Sequence, residues 1–315
     1  MSSTVVTYPI VTALVEAEKI LGPDRQWKPV NETQARFLKE FFAVCRKERV
    51  PEIESLASWS TAEIRAFLAR HGFTIEIKPF GERQFGTASV LDLLVEWIEQ
   101  GYVTTIPKRE SPKETPPPPK NWIERMKAAW ASRRGTCASP AEELPAVLIA
   151  SKNVTFFRAQ NHEHPVVSPK TKSQDRVYMT MLDEPPSGFD LIEKAQELSH
   201  AMKPVNEFAG LIFPMVDLDQ RVDIGWLVGM KTTQIEGLPV DIARALQQTR
   251  LRMNEFGARA ESAAVLTITV AGLPPPPHVI DRPFLIWFER EGLSMPLFVG
   301  HITEQDWKNP GDISK

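Results

Sequence analysis

The chain has 315 residues, of which 42% are hydrophobic, and this suits one large α+β domain or two smaller ones with a sizeable core. A formal net charge of −3 gives no reason to expect nucleic acid or an acidic membrane surface as a partner. The first twenty residues lack the basic start of a secretory signal, and no apolar run reaches membrane-spanning length. We therefore expect a soluble, cytoplasmic protein. Cys45 and Cys137 lack metal-type spacing, and we expect no metal or cofactor.

Residues 1–107 are predicted to form a mainly helical N-terminal region. Apolar spacing predicts helices over residues 11–20, 33–47, 60–70 and 87–99. The third of these begins with a capping box, in which Ser60 is followed by Glu63, and it ends at Gly72. Residues 73–80 alternate between apolar and polar side chains, so they predict a half-buried strand.

Residues 108–120 form a charged, proline-rich stretch that we interpret as a linker, because Pro116 to Pro119 force extended backbone. After it, Trp122, Met126 and Trp130 share one helical face, with basic side chains around the others. Such a helix could contact nucleic acid or acidic lipid, or it could dock its tryptophans on the protein core. We favour docking, since the chain as a whole is not basic.

Strands dominate the sequence from residue 144 onward. The pattern predicts strands at 146–149, 154–158, 177–182, 210–218, 250–255, 262–270, 283–289 and 296–302. It predicts a helix over 190–202 and short helices over 222–230 and 239–246. The last two strands are too apolar for sheet edges, so we expect them to be paired on both sides.

Four features follow one another in the last quarter of the chain. Residues 251–264 read Leu-Arg-Met-Asn-Glu-Phe-Gly-Ala-Arg-Ala-Glu-Ser-Ala-Ala, and residues 273–277 are proline-rich. Residues 281–286 read Asp-Arg-Pro-Phe-Leu-Ile, and residues 296–302 read Pro-Leu-Phe-Val-Gly-His-Ile. In this order they resemble the serpin superfamily: the hinge of its reactive loop, the far side of that loop, its Arg-Pro-Phe-Leu strand and its last buried strand.

The resemblance covers about residues 153–311 and implies an α+β fold with serpin-like mixed sheets in the C-terminal half. We therefore assign residues 121–315 to a serpin-like region. The N-terminal half offers no counterpart to the family's N-terminal helices or to its Phe-Ser-Pro segment. We expect the N-terminal half to be a different or heavily diverged partner of the C-terminal strands.

The resemblance also implies an exposed reactive loop at residues 255–282. Its hinge would comprise Glu255, Gly257, Ala258, Ala260, Ser262 and Ala264, and the candidate scissile bond would join Ala271 and Gly272. In inhibitory members the cleaved loop inserts as an extra strand, so every second hinge residue must enter the core. One phase here is wholly small or apolar, whereas Arg259 and Glu261 fall on the other phase. An ordinary half-buried strand would show the same alternation.

Two functions follow from this resemblance. A non-inhibitory binding or structural module ranks slightly first, because the N-terminal half lacks recognisable sheet-opening elements. The alternative is an inhibitor of serine or cysteine proteases, with a protease as its partner. We expect no enzymatic activity, since the sequence has no Gly-x-Ser-x-Gly, phosphate-loop or His-Glu-x-x-His motif.

Other polar clusters have ordinary explanations. His162 and His164 would share one face of a strand and could bind zinc with a third ligand, but surface histidines in a loop are the favoured interpretation. We expect His301 to be a hydrogen-bonded histidine at a strand end. The aspartates at 217, 219 and 223 lack the spacing of a calcium loop and predict a solvated edge and a helix start.

Overall fold

The structure of the protein is a computed structural model, which describes residues 1–22, 26–74, 76–82, 84–108, 143–200, 202–235, 238–257 and 275–313. The helices are α1 (Thr7–Leu21), α2 (Glu32–Arg36), α3 (Ala43–Cys45), α4 (Thr61–Arg70) and α5 (Asp190–His200). The strands of the N-terminal region are β1 (Ser3–Val5), β2 (Trp27–Lys28), β3 (Ile53–Ser58), β4 (Gly86–Leu91) and β5 (Tyr102–Pro107). The later strands are β6 (Glu143–Ala150), β7 (Val154–Ala159), β8 (Val166–Pro169), β9 (Asp175–Met181), β10 (Met202–Val205), β11 (Gly210–Pro214), β12 (Val216–Val222), β13 (Lys231–Ile235), β14 (Leu238–Asp241), β15 (Gln247–Met253), β16 (His278–Val279), β17 (Phe284–Arg290) and β18 (Phe298–Ile302).

The largest sheet has seven strands in the order β1-β18-β17-β9-β8-β7-β10, and all neighbours in it are antiparallel. Strand β17 is interior, and the side chains of Phe284, Leu285, Ile286 and Trp287 are all fully buried. A strand covered on both faces needs apolar side chains at successive positions, and this run supplies them. The predicted core strands at 283–289 and 296–302 are therefore confirmed.

A second sheet has the order β16-β11-β6-β5. Strand β16 is parallel to β11, whereas the other two pairs are antiparallel. Two separate antiparallel pairs, β12 with β15 and β3 with β4, complete the main strand framework. The small sheet β14-β13-β2 lies apart from these pairs. Together with the helices, this arrangement confirms an α+β fold with mixed sheets.

Local sequence explains the predicted helices that the structure contains. Asn31 caps α2, because its side-chain oxygen accepts a hydrogen bond from the Gln34 backbone at 2.9 Å. A π-helical turn, Phe37–Phe42, joins α2 to α3, and its extra residue lets Phe37, Phe41 and Phe42 all be buried. Ser60 caps α4 as predicted, with its hydroxyl 3.4 Å from the Glu63 backbone nitrogen.

Some sequence predictions are wrong. Residues 87–99 do not form a helix: β4 occupies Gly86–Leu91, and irregular backbone follows it. Ala88 and Val90 are buried and their neighbours are not, which is the two-residue period of a strand. The described residues of 73–80 form no strand, and residues 239–246 contain the end of β14 and irregular backbone instead of a helix.

One hydrophobic core joins the N-terminal region to the rest of the chain. Leu14 and Phe41 belong to the same buried cluster as Leu285. Strand β5 pairs with β6, although residues 108–120 lie between them in sequence; within that stretch only Lys108 is described. The β5–β6 pairing and the shared cluster connect the N-terminal region to the C-terminal strands, and a second, smaller buried cluster lies within the N-terminal region, formed by Ile64, Phe67, Leu68, Ala88 and Val90.

An ion cluster ties the same two regions together. The Arg290 guanidinium donates to both carboxylate oxygens of Glu52, at 2.7 and 2.8 Å, and to both of Asp175, at 2.6 and 3.0 Å. These hydrogen bonds lower the pKa of Glu52 below its ordinary value and raise the pKa of Arg290. The side chains of Arg290 and Asp175 are only 8% and 3% exposed, so the buried Asp175 carboxylate depends on Arg290 for its charge compensation.

Candidate functional site

A cleft of about 810 Å³ lies between β4 and β15, and we call it the sheet cleft. All residues of both strands line it, whereas their partners β3 and β12 do not. The order across this part of the molecule is therefore β12, β15, cleft, β4, β3. Among the described residues, no strand pairs with the edges of β4 and β15 that face the cleft.

Apolar side chains form the floor of the sheet cleft. Ile10 and Leu14 come from α1, and Phe288 and Phe298 come from the large sheet. On β15, Thr249, Leu251 and Met253 are buried, whereas the residues between them are more exposed. The floor thus offers an apolar surface to any chain that enters between the two strands.

The rim of the sheet cleft carries charges of both signs. Arg250 lies over the ring of Phe73, with its guanidinium carbon 4.8 Å from the ring centroid, and it also pairs with Asp219 at 2.9 Å. Charged rim residues include Arg70, Glu76, Lys78, Asp92, Asp241, Arg244 and Arg252. A polar rim around an apolar floor is typical of binding sites in proteins.

Hydrogen bonds between the segment after β4 and the turn after β15 adjoin the sheet cleft, and we call them the clasp. The Trp97 indole donates to the Asn254 carbonyl at 3.0 Å, and the Gly101 backbone nitrogen donates to the Glu255 carbonyl at 2.8 Å. The clasp joins the segment after β4 to the turn after β15, so it lies beyond the carboxyl end of each strand in the chain.

Gly257 is fitted tightly into the clasp. Its φ of +55° is in the left-handed region that favours glycine. A Cβ atom at this position would lie 2.2 Å from the Trp97 backbone nitrogen and 2.9 Å from the Glu96 Cα. Because real Cβ atoms do not approach backbone so closely, only glycine fits this contact. Glu255 has one buried carboxylate oxygen with no hydrogen-bond partner among the described residues.

Only some residues of the predicted reactive loop lie in the described part of the chain. Glu255 and Gly257 lie in the turn at the clasp, next to the sheet cleft. The other hinge residues, Ala258, Ala260, Ser262 and Ala264, lie outside the described residues, as do Ala271 and Gly272. The chain is described again from residue 275, and β16 anchors it beside β11.

The other polar clusters are structural in the described part of the chain. His301 donates to the Leu182 carbonyl at 2.7 Å, as a hydrogen-bonded histidine should, and burial lowers its pKa. Asp223 accepts from the Gly225 backbone at 2.8 Å at the start of a short 3₁₀ helix. No group of three or more histidine, cysteine or acidic residues within the described ranges has the geometry to hold a metal ion. None of the described helices combines the length and the apolar character needed to cross a membrane.

Sequence reasoning missed Trp97 and Gly101, which form half of the clasp. Both were included in, or placed just after, a predicted helix over 87–99. The sequence did contain one signal. Gly101 follows Trp97 by four residues, and a helix that included Trp97 would have had to end before this glycine. Their partners are far along the chain, with 157 positions between Trp97 and Asn254.

Comparison with known proteins reveals likeness in structure but not in sequence. No protein-family model and no curated protein sequence matches the chain. The structure resembles thyroxine-binding globulin in complex with thyroxine, with a TM-score of 0.54 and 12% identity over 96% of this chain and 92% of that one. It also resembles Serpin48, a highly specific serpin of the insect Tenebrio molitor, with a TM-score of 0.50 and 11% identity over 96% of this chain and 91% of that one.

The solved structures with this likeness are serpins. Because the likeness extends over 96% of the chain, it includes the N-terminal region, in which the sequence offered no recognisable match. Identities of 11% and 12% support a statement about the fold and not about activity. The protein has the serpin fold.

Proposed function

We propose that the protein is an inhibitor of serine or cysteine proteases that takes its own cleaved segment, residues 258–274, into the sheet cleft. The sequence alone ranks a non-inhibitory module slightly first. The open cleft reverses this order, and it is the single observation that carries the proposal: two strands present unpaired edges to one apolar space, at the end where the segment begins.

The chain direction supports insertion. A segment that turns back after Gly257 would run antiparallel to β15, and the clasp would bring it alongside β4. It would then pair with the edges on both sides and satisfy backbone groups that now face the cleft. Strand β15 has seven residues, and the seven residues 258–264 span the same length.

The side chains of the segment suit the two faces that they would meet. Ala258, Ala260, Ser262 and Ala264 are small and would face the apolar floor. Arg259 and Glu261 would face outward, where β15 presents Arg250 and Arg252. Burying either charge without a partner would cost several kcal/mol. The two charges therefore decide which alternate residues of the inserted segment face the floor and which face outward.

The partner would be a protease that accepts a small residue before the cleaved bond. This follows from the alignment of Ala271 and Gly272 with the scissile bond of the family. Cleavage there frees the end of the segment, which insertion requires. Serpin48, one of the similar solved structures, is described as highly specific, and the corresponding specificity here would depend on the residues around Ala271.

A second candidate is a non-inhibitory binding module, and the clasp favours it. Gly257 and Glu255 are held against the segment after β4, whereas insertion requires this turn to reorganise. In that case the sheet cleft would be a permanent pocket for an apolar ligand. Thyroxine-binding globulin, which is similar in structure, was solved with thyroxine bound.

Cleavage followed by a thermal melt separates the two candidates. The uncut protein and the protein cut at 271–272 by an elastase-type protease are melted side by side. An inhibitor becomes much more stable when cut, and it forms a covalent complex with the protease that resists denaturing electrophoresis. A cut protein with an unchanged melting temperature would reject insertion and leave the binding module.

Two variants test the phase of the inserted strand. Ala258→Arg would place a charge on the floor of the sheet cleft, so the cut variant should lose the stabilisation while the uncut one is unaffected. Ala263→Arg is the matched control, because this residue belongs to the outward phase. The same loss of stabilisation in both variants would contradict the proposed phase.

A further inference from the structure

Strand β16 is a short strand that attaches the chain after residue 274 to β11. It contributes only His278 and Val279, which lie parallel to Leu211 and Ile212 of β11. Two flanking backbone hydrogen bonds support it: Ile280 donates to the Ile212 carbonyl at 2.8 Å, and Ala209 donates to the Pro276 carbonyl at 3.3 Å. This is the first described attachment of the chain after the segment 258–274.

His278 occupies a site that does not accommodate charge. It is only 7% exposed, and its ring packs on Phe208 with the centroids 5.1 Å apart. Its Nε2 atom is buried and has no hydrogen-bond partner among the residues that the structure describes. A proton on this nitrogen would therefore put a positive charge in an apolar site without an acceptor.

His162 and His164 lie in the loop between β7 and β8, and His164 acts on the charge of His278. The rings of His162 and His164 have their centroids 6.2 Å apart. His162 donates from Nε2 to the Thr180 hydroxyl at 2.7 Å, because that hydroxyl itself donates to the Pro165 carbonyl at 3.0 Å. His164 is close enough to disfavour the charged forms of both His162 and His278.

Nearby acidic groups only partly offset the lowered pKa values of His278 and His162. Burial, followed by the influence of His164, lowers the pKa of His278 to about 4, and Asp281 opposes this shift. Burial lowers the pKa of His162 as well; His164 and Lys194 act in the same direction, and Glu197 and Glu163 oppose them. The net direction is downward for both, so the folded protein resists protonation at both sites.

We propose that His278 acts as a proton-operated release for β16. At neutral pH the His278 ring is uncharged and β16 stays paired with β11. Acidification protonates His278, and the cost of burying this charge without an acceptor expels β16. The segment that precedes β17 then loses its anchor on β11. This proposal does not rest on protease inhibition.

The direction of the pH effect follows from linkage. Because the pKa of His278 is lowered from 6.5 to about 4 in the paired state, the released state binds the proton more tightly. The contribution of uncharged His278 to the pairing of β16 is therefore present above pH 6.5 and is lost as the pH falls from 6.5 toward about 4. Between pH 7.5 and pH 5, His278 alone raises the population of the released state about 30-fold.

Amide hydrogen exchange of the full chain tests the release. The probes are the Ala209 and Ile280 amides, and the control is the Leu297 amide, which donates to the Phe288 carbonyl at 2.8 Å in another sheet. After correction for the intrinsic rate, protection of the two probes should fall about 30-fold between pH 7.5 and pH 5. The control amide should keep its protection. Equal loss at the probes and the control would indicate global unfolding and overturn the proposal.

Two variants identify the responsible groups. His278→Phe keeps a ring against Phe208 but cannot be protonated, so most of the pH-dependent loss should disappear. His200→Phe is the matched control, because this exposed histidine lies at the end of α5, and its loss should equal that of the wild type. If His278→Phe does not fold, His164→Asn replaces it, and the pH-dependent loss should then be smaller, because removing His164 lets the pKa of His278 rise toward its ordinary value. A wild-type response in whichever of the two is measured would overturn the proposal.

Discussion

Replacing Gly257 with alanine is expected to break the clasp. The left-handed φ of +55° alone costs an alanine about 1–2 kcal/mol. The new Cβ atom would also lie 2.2 Å from the Trp97 nitrogen, and this neighbour is backbone rather than the end of a flexible side chain. Moving packed backbone to relieve such a clash adds about 1–3 kcal/mol. The free energy of unfolding of the uncut protein should therefore fall by about 2–5 kcal/mol.

Gly292→Ala is the matched control for this experiment. Gly292 has a φ of +88°, so it carries the conformational cost, but no atom lies within 4 Å of the position of its Cβ. Its substitution should cost only about 1–2 kcal/mol in urea unfolding. The difference between the two variants measures the contact of Gly257 with the backbone of Glu96 and Trp97. Equal costs would refute the tight packing of the clasp.

The same variant carries information about function. If the segment inserts, residue 257 leaves the clasp when the protein is cut, so the alanine should penalise the uncut form more than the cut form. The rise in melting temperature on cleavage should then be larger in Gly257→Ala than in the wild type. If the clasp is permanent, the variant should lower both melting temperatures equally.

Three further predictions concern the core. Arg290→Met leaves the Asp175 carboxylate buried without its partner, so the free energy of unfolding in urea should fall by about 3–5 kcal/mol. Lys152→Met is the control: it removes an exposed ion pair, and the free energy of unfolding should fall by less than about 1 kcal/mol. Phe298→Ala should cost about 3–5 kcal/mol, because the ring is 5% exposed, and a loss below about 1 kcal/mol would contradict its position. Burial lowers the pKa of His301 below its ordinary 6.5, so the stability of the protein should fall as the pH drops below that value. Thermal melts over a series of pH values should show a weaker pH dependence for His301→Gln than for the wild type.

The strands of the C-terminal half could be predicted because their sequence and their burial agree. Residues 284–287 are apolar at successive positions, and both of their faces are covered. Residues 298–302 are buried at every position, so both faces of the strand are covered and no polar alternation is needed there either. The helix ends at Ser60 and Gly72 were predictable for a different reason, since capping depends on local hydrogen bonds and backbone angles.

Residues 87–99 could not be assigned correctly from local pattern. Their apolar side chains occur often enough to satisfy a helical period as well as a strand period. What decides the outcome is the partner: β3 pairs with β4 over six positions, from Ile53 to Ser58. After Leu91 the chain turns toward the clasp, where Trp97 meets a carbonyl 157 positions away. Long-range contacts of this kind leave no periodic signal.

The walls of the sheet cleft come from both sides of the proline-rich stretch. One wall is β4 and part of the floor is α1, and both belong to the N-terminal region. The other wall is β15, and the rest of the floor comes from β17 and β18. Neither part has both walls, so the cleft needs both regions, which the β5–β6 pairing and the Arg290 cluster also connect. The N-terminal region, whose sequence offered no family resemblance, therefore supplies the half of the site that an inserting strand would need.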